Sequence, residues 1–216
     1  MKVLLTGATG MIGGLILEQC LAADKINQVI SFVRKQSGQV HPKLTEVVVA
    51  DFCDYSVHKD LFAEVDTAYF CLGAYTGQVS NDMLKLITVD YAVAFARQLS
   101  ISSPGAKFCL LSGAGADRAE KSKTPFALYK GMAENQIASM QLELYSFRPG
   151  YIYPVTARKE PNLAYRIFRF LYPVMRLLGN RYSIQSTHLA EAMFQVGLFG
   201  TEQMILENQD IVSLTK

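Results

Sequence analysis

The chain lacks any stretch of 18 uncharged apolar residues, so no membrane-spanning helix is expected. Its opening segment, MKVLLTGATGMIGGLILEQCLA, is interrupted by Gly7, Gly10, Gly13 and Gly14, and glycine breaks the apolar helix that a secretory signal requires. Cysteine is sparse. Cys20, Cys53, Cys71 and Cys109 form no C-x-x-C pair and have no neighbouring histidine, which argues against a zinc cluster. Cys71 and Cys109 lie in the apolar runs AYFCL and KFCLL and read as buried free thiols in a reducing cytoplasm. Charge of one sign is also missing: 21 basic and 19 acidic residues leave a net +2, too little to draw a nucleic acid.

What remains is ample core material. Of 216 residues, 50% are hydrophobic and 19% charged, the balance of a folded chain and not of a disordered one. Short β-rich runs alternate with segments of helical period, the pattern of a parallel sheet covered by helices. Strands are expected at 2–5, 28–33, 46–50, 68–71, 107–112 and 144–148, with helices at 11–23, 57–62, 81–101 and 125–140. After Pro149 the pattern loosens; a helix at 187–197 and a strand at 203–206 are expected before a polar C-terminus. A stretch of that size seldom folds alone. Residues 1–216 are therefore read as one domain, with 149–216 contributing a substrate-side cap.

The strongest signal is Val3-Leu4-Leu5-Thr6-Gly7-Ala8-Thr9-Gly10-Met11-Ile12-Gly13, a strand entering a G-x-x-G-x-x-G turn that opens a helix. Gly7 supplies the turn, Gly10 lets a pyrophosphate approach the main chain, and Gly13 permits close helix–strand packing. Thr9, Met11 and Ile12 complete the loop, whose amides and helix dipole hold an anion without a lysine. The fold class this implies is a Rossmann-type doubly wound α/β sheet binding a nicotinamide dinucleotide. At the end of the second strand, where an acidic residue would accept from a ribose 2′-hydroxyl, the sequence has Arg34 and Lys35. Donors there suit a 2′-phosphate, so NADP is preferred over NAD; a solvated basic pair is the plain alternative. Asp51 after the third strand is placed to accept from the adenine amino group, and Phe52 to flank the ring.

With Cys71-Leu72-Gly73, Ser112, Lys130 and Arg148-Pro149-Gly150 in the same order, the chain resembles the short-chain dehydrogenase/reductase superfamily. More narrowly, it is similar to the atypical NAD(P)-binding branch related to sugar-nucleotide epimerases and the Tat-interacting-protein-30 group. The resemblance implies that Leu72 and Gly73 pass the adenosine ribose and that Pro149 to Tyr151 border the nicotinamide. It also implies a homodimer through the helices at 81–101 and 125–140. The superfamily's acid–base pair is Tyr-x-x-x-Lys, in which the lysine lowers the tyrosine pKa from one helical turn away. Here Lys130-Gly131 and Glu134 match its Lys-Gly-x-x-Glu extension, which places Phe126 at the tyrosine position. A phenyl ring donates no proton. Tyr129 does not rescue the register, because Ala133 then stands for the lysine and Tyr129 and Lys130 diverge by about 100°. Ser112 and Lys130 remain as candidate catalytic residues, with Tyr151 or Tyr153 as a substitute phenol.

The segment 158–181 carries Arg158, Lys159, Arg166, Arg169, Arg176 and Arg181 against Glu160 alone, interleaved with aromatics. It suits an anionic membrane surface or a phosphorylated substrate, but a cap helix with snorkelling arginines is the simpler expectation. The expected function is an NADP(H)-dependent oxidoreductase or epimerase-like enzyme acting on a small molecule. The alternative is a non-catalytic NADP(H) sensor, because of Phe126.

Overall fold

The computed structural model describes residues 1–74, 77–155 and 182–215; the basic aromatic segment 158–181 falls outside them. Seven strands form one parallel sheet: β1 (Lys2–Thr6), β2 (Gln28–Val33), β3 (Leu44–Val48), β4 (Thr67–Phe70), β5 (Lys107–Leu111), β6 (Glu143–Arg148) and β9 (Ile205–Glu207). Their order is β3-β2-β1-β4-β5-β6-β9. Tyr151–Tyr153 (β7) and Ser183–Gln185 (β8) make a separate parallel ribbon. The chain moves outward from β1 to β3 and then returns to pair β4 with β1. That reversal opens a crevice beyond the carboxyl ends of β1 and β4, the place where doubly wound sheets take ligands.

Near-continuous apolar strands are required because both sheet faces are covered. Val3, Leu5, Val29 and Tyr69 meet α1 (Met11–Ala22) and the helix Ser186–Phe199, while Leu4, Ile30, Phe32 and Phe108 face the opposite core. In that second core Phe32, Tyr55, Phe62 and Phe95 pack with ring centroids 5.1–5.5 Å apart. Phe62 ends a 3-10 turn at Ser56–Phe62, and Phe95 belongs to the helix Tyr91–Ser102.

The expected 81–101 helix is α2 (Asn81–Lys85), a π-helical turn (Leu86–Asp90) and α3 (Tyr91–Ser102) in succession. The π turn packs against α4 (Pro125–Ala138), whose proline at the first position suits a helix start. β3 lies two residues earlier than expected, because the apolar run continues past its ladder through Val49. The helix Ser186–Phe199 (α5) lies against α1. The polar C-terminus contains a six-residue helix, α6 (Asn208–Ser213), started by a reciprocal cap between Glu207 and Asp210. Among the described residues no helix is long and apolar enough to cross a membrane.

Candidate functional site

β1 hands the chain to the glycine loop with Gly7 at φ +75, a backbone region that side chains disfavour. A Cβ on Gly7 would stand 2.7 Å from the Cys71 carbonyl oxygen, and one on Gly13 would lie against the Gly7 carbonyl oxygen. Both contacts are with backbone, so neither can yield by a rotamer change. Gly10 donates its amide to Gly7 O at 2.8 Å, which closes the turn. As N-cap of α1, Gly10 offers no side-chain oxygen, and the first turn carries no acidic residue. The first turn thus brings no carboxylate of its own to the positive end of the helix, which suits an anion site.

Beside the loop lies a cavity of about 270 Å³ whose walls include Gly7, Thr9, Arg34, Lys35, Ser37 and Phe52. Arg34 and Lys35 are exposed and form no ion pair among the described residues. Phe52 is buried against Tyr91, with centroids 5.5 Å apart, and gives the cavity a flat apolar wall. Leu72 also lines it, while Gly73 has open space around its Cα. Asp51 is not part of the lining. It sits three residues beyond β3, where its Oδ1 accepts from the Cys53 amide at 2.8 Å. Ser37 was not singled out from sequence, although a hydroxyl so close to Arg34 and Lys35 is a readable signal.

At the other end the polar groups turn toward one another. Lys130 is 8% exposed, and its Nζ donates to the Leu111 carbonyl at 2.7 Å. Burial pushes its pKa down to about 8, with Glu134 acting in the opposite direction. Glu134 is fully buried. It accepts from Ser112 Oγ at 2.5 Å and from Arg148 at 3.0 Å and 2.6 Å. Arg148 also reaches Glu207 at 3.0 Å, and these charge-assisted bonds raise its pKa. Ser112 therefore donates inward, into a bridge joining β5, α4, β6 and β9.

Gly131 is explained by the preceding loop: a Cβ there would lie against the Asp117 carbonyl, where no side chain fits. Gly113 and Phe126 form a matching pair, since a Cβ on Gly113 would lie against Phe126 Cζ. The ring tip occupies the space that a side chain at 113 would need. Pro149 is buried and accepts from the Ala114 amide at 2.9 Å. Tyr151 and Tyr153 lie half-buried on β7, so the structure brings Pro149 and Ser112 to one end of the sheet. Among the described residues no group of histidine, cysteine and acidic side chains is arranged to hold a metal.

The family model described as NAD(P)H-binding matches residues 7–176, and the chain belongs to that family. No curated protein matches it in sequence. Solved structures share the fold. The yeast methylglyoxal/isovaleraldehyde reductase Gre2, complexed with NADPH, superposes with TM-score 0.68 at 17% identity, over 96% of this chain and 77% of its own. WbmF of Bordetella bronchiseptica, in complex with NAD+, gives 0.69 at 14% identity over 98% and 76%. The thiolation-reductase di-domain of an archaeal non-ribosomal peptide synthetase gives 0.72 at 14% identity over 96% and 70%. These structures share the fold, and membership of the NAD(P)H-binding family makes a nicotinamide dinucleotide the ligand that this fold serves.

Proposed function

We propose that the protein is an NADP(H)-dependent oxidoreductase acting on a small molecule. The observation that carries this reading is the cavity beside the glycine loop, where Arg34, Lys35 and Ser37 offer donors and, among the described residues, no carboxylate lines the wall. Gly7 and Gly13 let the loop close tightly, since a Cβ on either would meet a main-chain carbonyl, and the helix N-terminus held there suits a pyrophosphate. Arg34 and Lys35 would hold the 2′-phosphate, Phe52 and Leu72 the adenosine, and Pro149 and Tyr151 the nicotinamide end. When bound, the dinucleotide supplies or accepts a hydride. Lys130 would orient the nicotinamide ribose, and Ser112, held by Glu134, would fix the edge of the site. Phe126 donates no proton, so the proton must come from water, from the substrate or from a phenol on β7.

A second reading, a non-catalytic NADP(H) sensor, is favoured by the Gly113–Phe126 pair, which fills the usual acid's place with carbon. Calorimetry with NADPH and NADH tests the binding proposal. Arg34→Ala should remove most of the preference for NADPH, about tenfold or more for a charge-assisted contact. Equal affinities in the unaltered protein would refute the NADP assignment. Catalysed loss of NADPH absorbance with a carbonyl substrate would exclude the sensor.

A further inference from the structure

We infer that Glu46 on β3 sets the preference for NADPH by holding down the loop that carries Arg34, Lys35 and Ser37. The inference rests on the NADP reading and adds a positioning residue to it. Parallel neighbours are normally joined by a crossover of a dozen or more residues, usually with a helix that packs the connection onto the sheet. β2 and β3 are joined by residues 34–43 alone, with no helix. Something else must hold that connection in place.

The tie comes from the strand itself. Glu46 pairs in register with Ser31 of β2, and its Oε2 accepts from the Ser37 amide at 2.8 Å. The loop therefore doubles back, so that a residue six positions beyond Ser31 lies over Ser31's own strand neighbour. Ser37 Oγ then accepts from the Gln39 amide at 3.1 Å, and Gly38 turns the chain at φ +83. Among the described residues, the Ser37–Glu46 bond is the hydrogen bond that links residues 35–40 to the sheet. The three cavity-lining donors sit on the anchored side of this turn.

Chemistry separates two effects of Glu46. As an acceptor it shapes the loop, which favours 2′-phosphate recognition by paying part of the ordering cost before the ligand arrives. As a negative charge close to that phosphate it opposes binding. Its second oxygen, Oε1, is buried with no hydrogen-bond partner among the described residues, a cost that the bond to Ser37 offsets only in part. The geometric effect dominates in this proposal. Glu46→Gln retains an acceptor oxygen and removes the charge, whereas Glu46→Ala removes both.

The test measures NADPH and NADH affinities by calorimetry for the unaltered protein and both variants, with amide hydrogen exchange at Ser37 in the absence of coenzyme. Glu46→Ala should lower the NADPH-over-NADH ratio by about tenfold, the scale of one hydrogen bond to a charged group, and speed exchange at Ser37. Glu46→Gln should keep or raise the ratio and keep Ser37 protected. An unchanged ratio in Glu46→Ala, or an equal fall in Glu46→Gln, overturns the proposal. So does an unprotected Ser37 amide in the unaltered protein, whatever the coenzyme data. Equal affinity of the unaltered protein for both nucleotides defeats the NADP reading itself, and protected Ser37 would then mark an anchor without a role in selection.

Discussion

The two ends of the coenzyme crevice are built on opposite plans. At the glycine loop and its cavity Arg34 and Lys35 are exposed and form no ion pair among the described residues. At the opposite end Ser112, Lys130, Glu134 and Arg148 bond to one another and to main chain. Outward donors await a ligand; inward donors hold a scaffold. The contrast separates what the protein binds from what it does chemically, and it explains why the first is easier to establish.

The sharpest way to break the first region is Gly13→Ala. The added Cβ runs into the Gly7 carbonyl, so the loop cannot close in its present form. Binding of NADPH should disappear in calorimetry, and overpacking should cost about 1–3 kcal/mol of stability. Undiminished binding would show that the pyrophosphate rests elsewhere. The second region is broken most severely by Glu134→Ala, which leaves Arg148 without its bidentate partner. Removing one member of a buried pair costs about 3–5 kcal/mol, to be read from urea midpoints. A loss of only about 1 kcal/mol would place this bridge with ordinary surface pairs and remove the contrast.

Phe126→Tyr sharpens the comparison at its most informative residue. Because Phe126 Cζ is the atom nearest the missing Gly113 Cβ, a hydroxyl on that carbon is driven toward the Gly113 backbone. The variant should lose about 1–3 kcal/mol to overpacking, measured by thermal melting. A variant as stable as the parent would show that the ring has room to swing, and that the phenyl is a simple loss of a hydroxyl with no compensating glycine.

The legibility of the sequence follows the same division. The glycine loop and the Arg34-Lys35 pair are local patterns, readable because the strand, the turn and the helix start are consecutive in the chain. Most strands and helices are also placed within a residue or two by their apolar periods. The candidate Ser112 is readable from its place at the end of a strand, but nothing nearby in sequence shows that its hydroxyl donates to Glu134, 22 positions later. Glu46 was likewise silent: its partner Ser37 is close in sequence, but only the sheet register makes the contact. The Gly113–Phe126 match required the packing of a loop against a helix. Asp51 is readable from its place after a strand, whereas the bond that its Oδ1 accepts from the Cys53 amide, a common habit of aspartate in turns, is not specified by that place.

The smallest effect tests whether Lys130 is truly enclosed. Burial lowers its pKa from 10.5 to about 8, so between these values the unfolded chain keeps a proton that the folded chain releases. Stability must therefore rise with pH in that window. The thiols of Cys20, Cys71 and Cys109, all raised by burial from 9.0, act in the opposite sense once the unfolded thiols begin to ionise. The contribution of Lys130 is therefore read against a variant that lacks it, over which the parent should gain about 1 kcal/mol between pH 7 and 9. Lys130→Met, which has no proton to release, should abolish the rise while leaving the later decline. If the variant and the parent follow the same curve in chemical unfolding, Lys130 keeps its proton in contact with water, and the inward-facing plan of that end of the crevice does not extend to it.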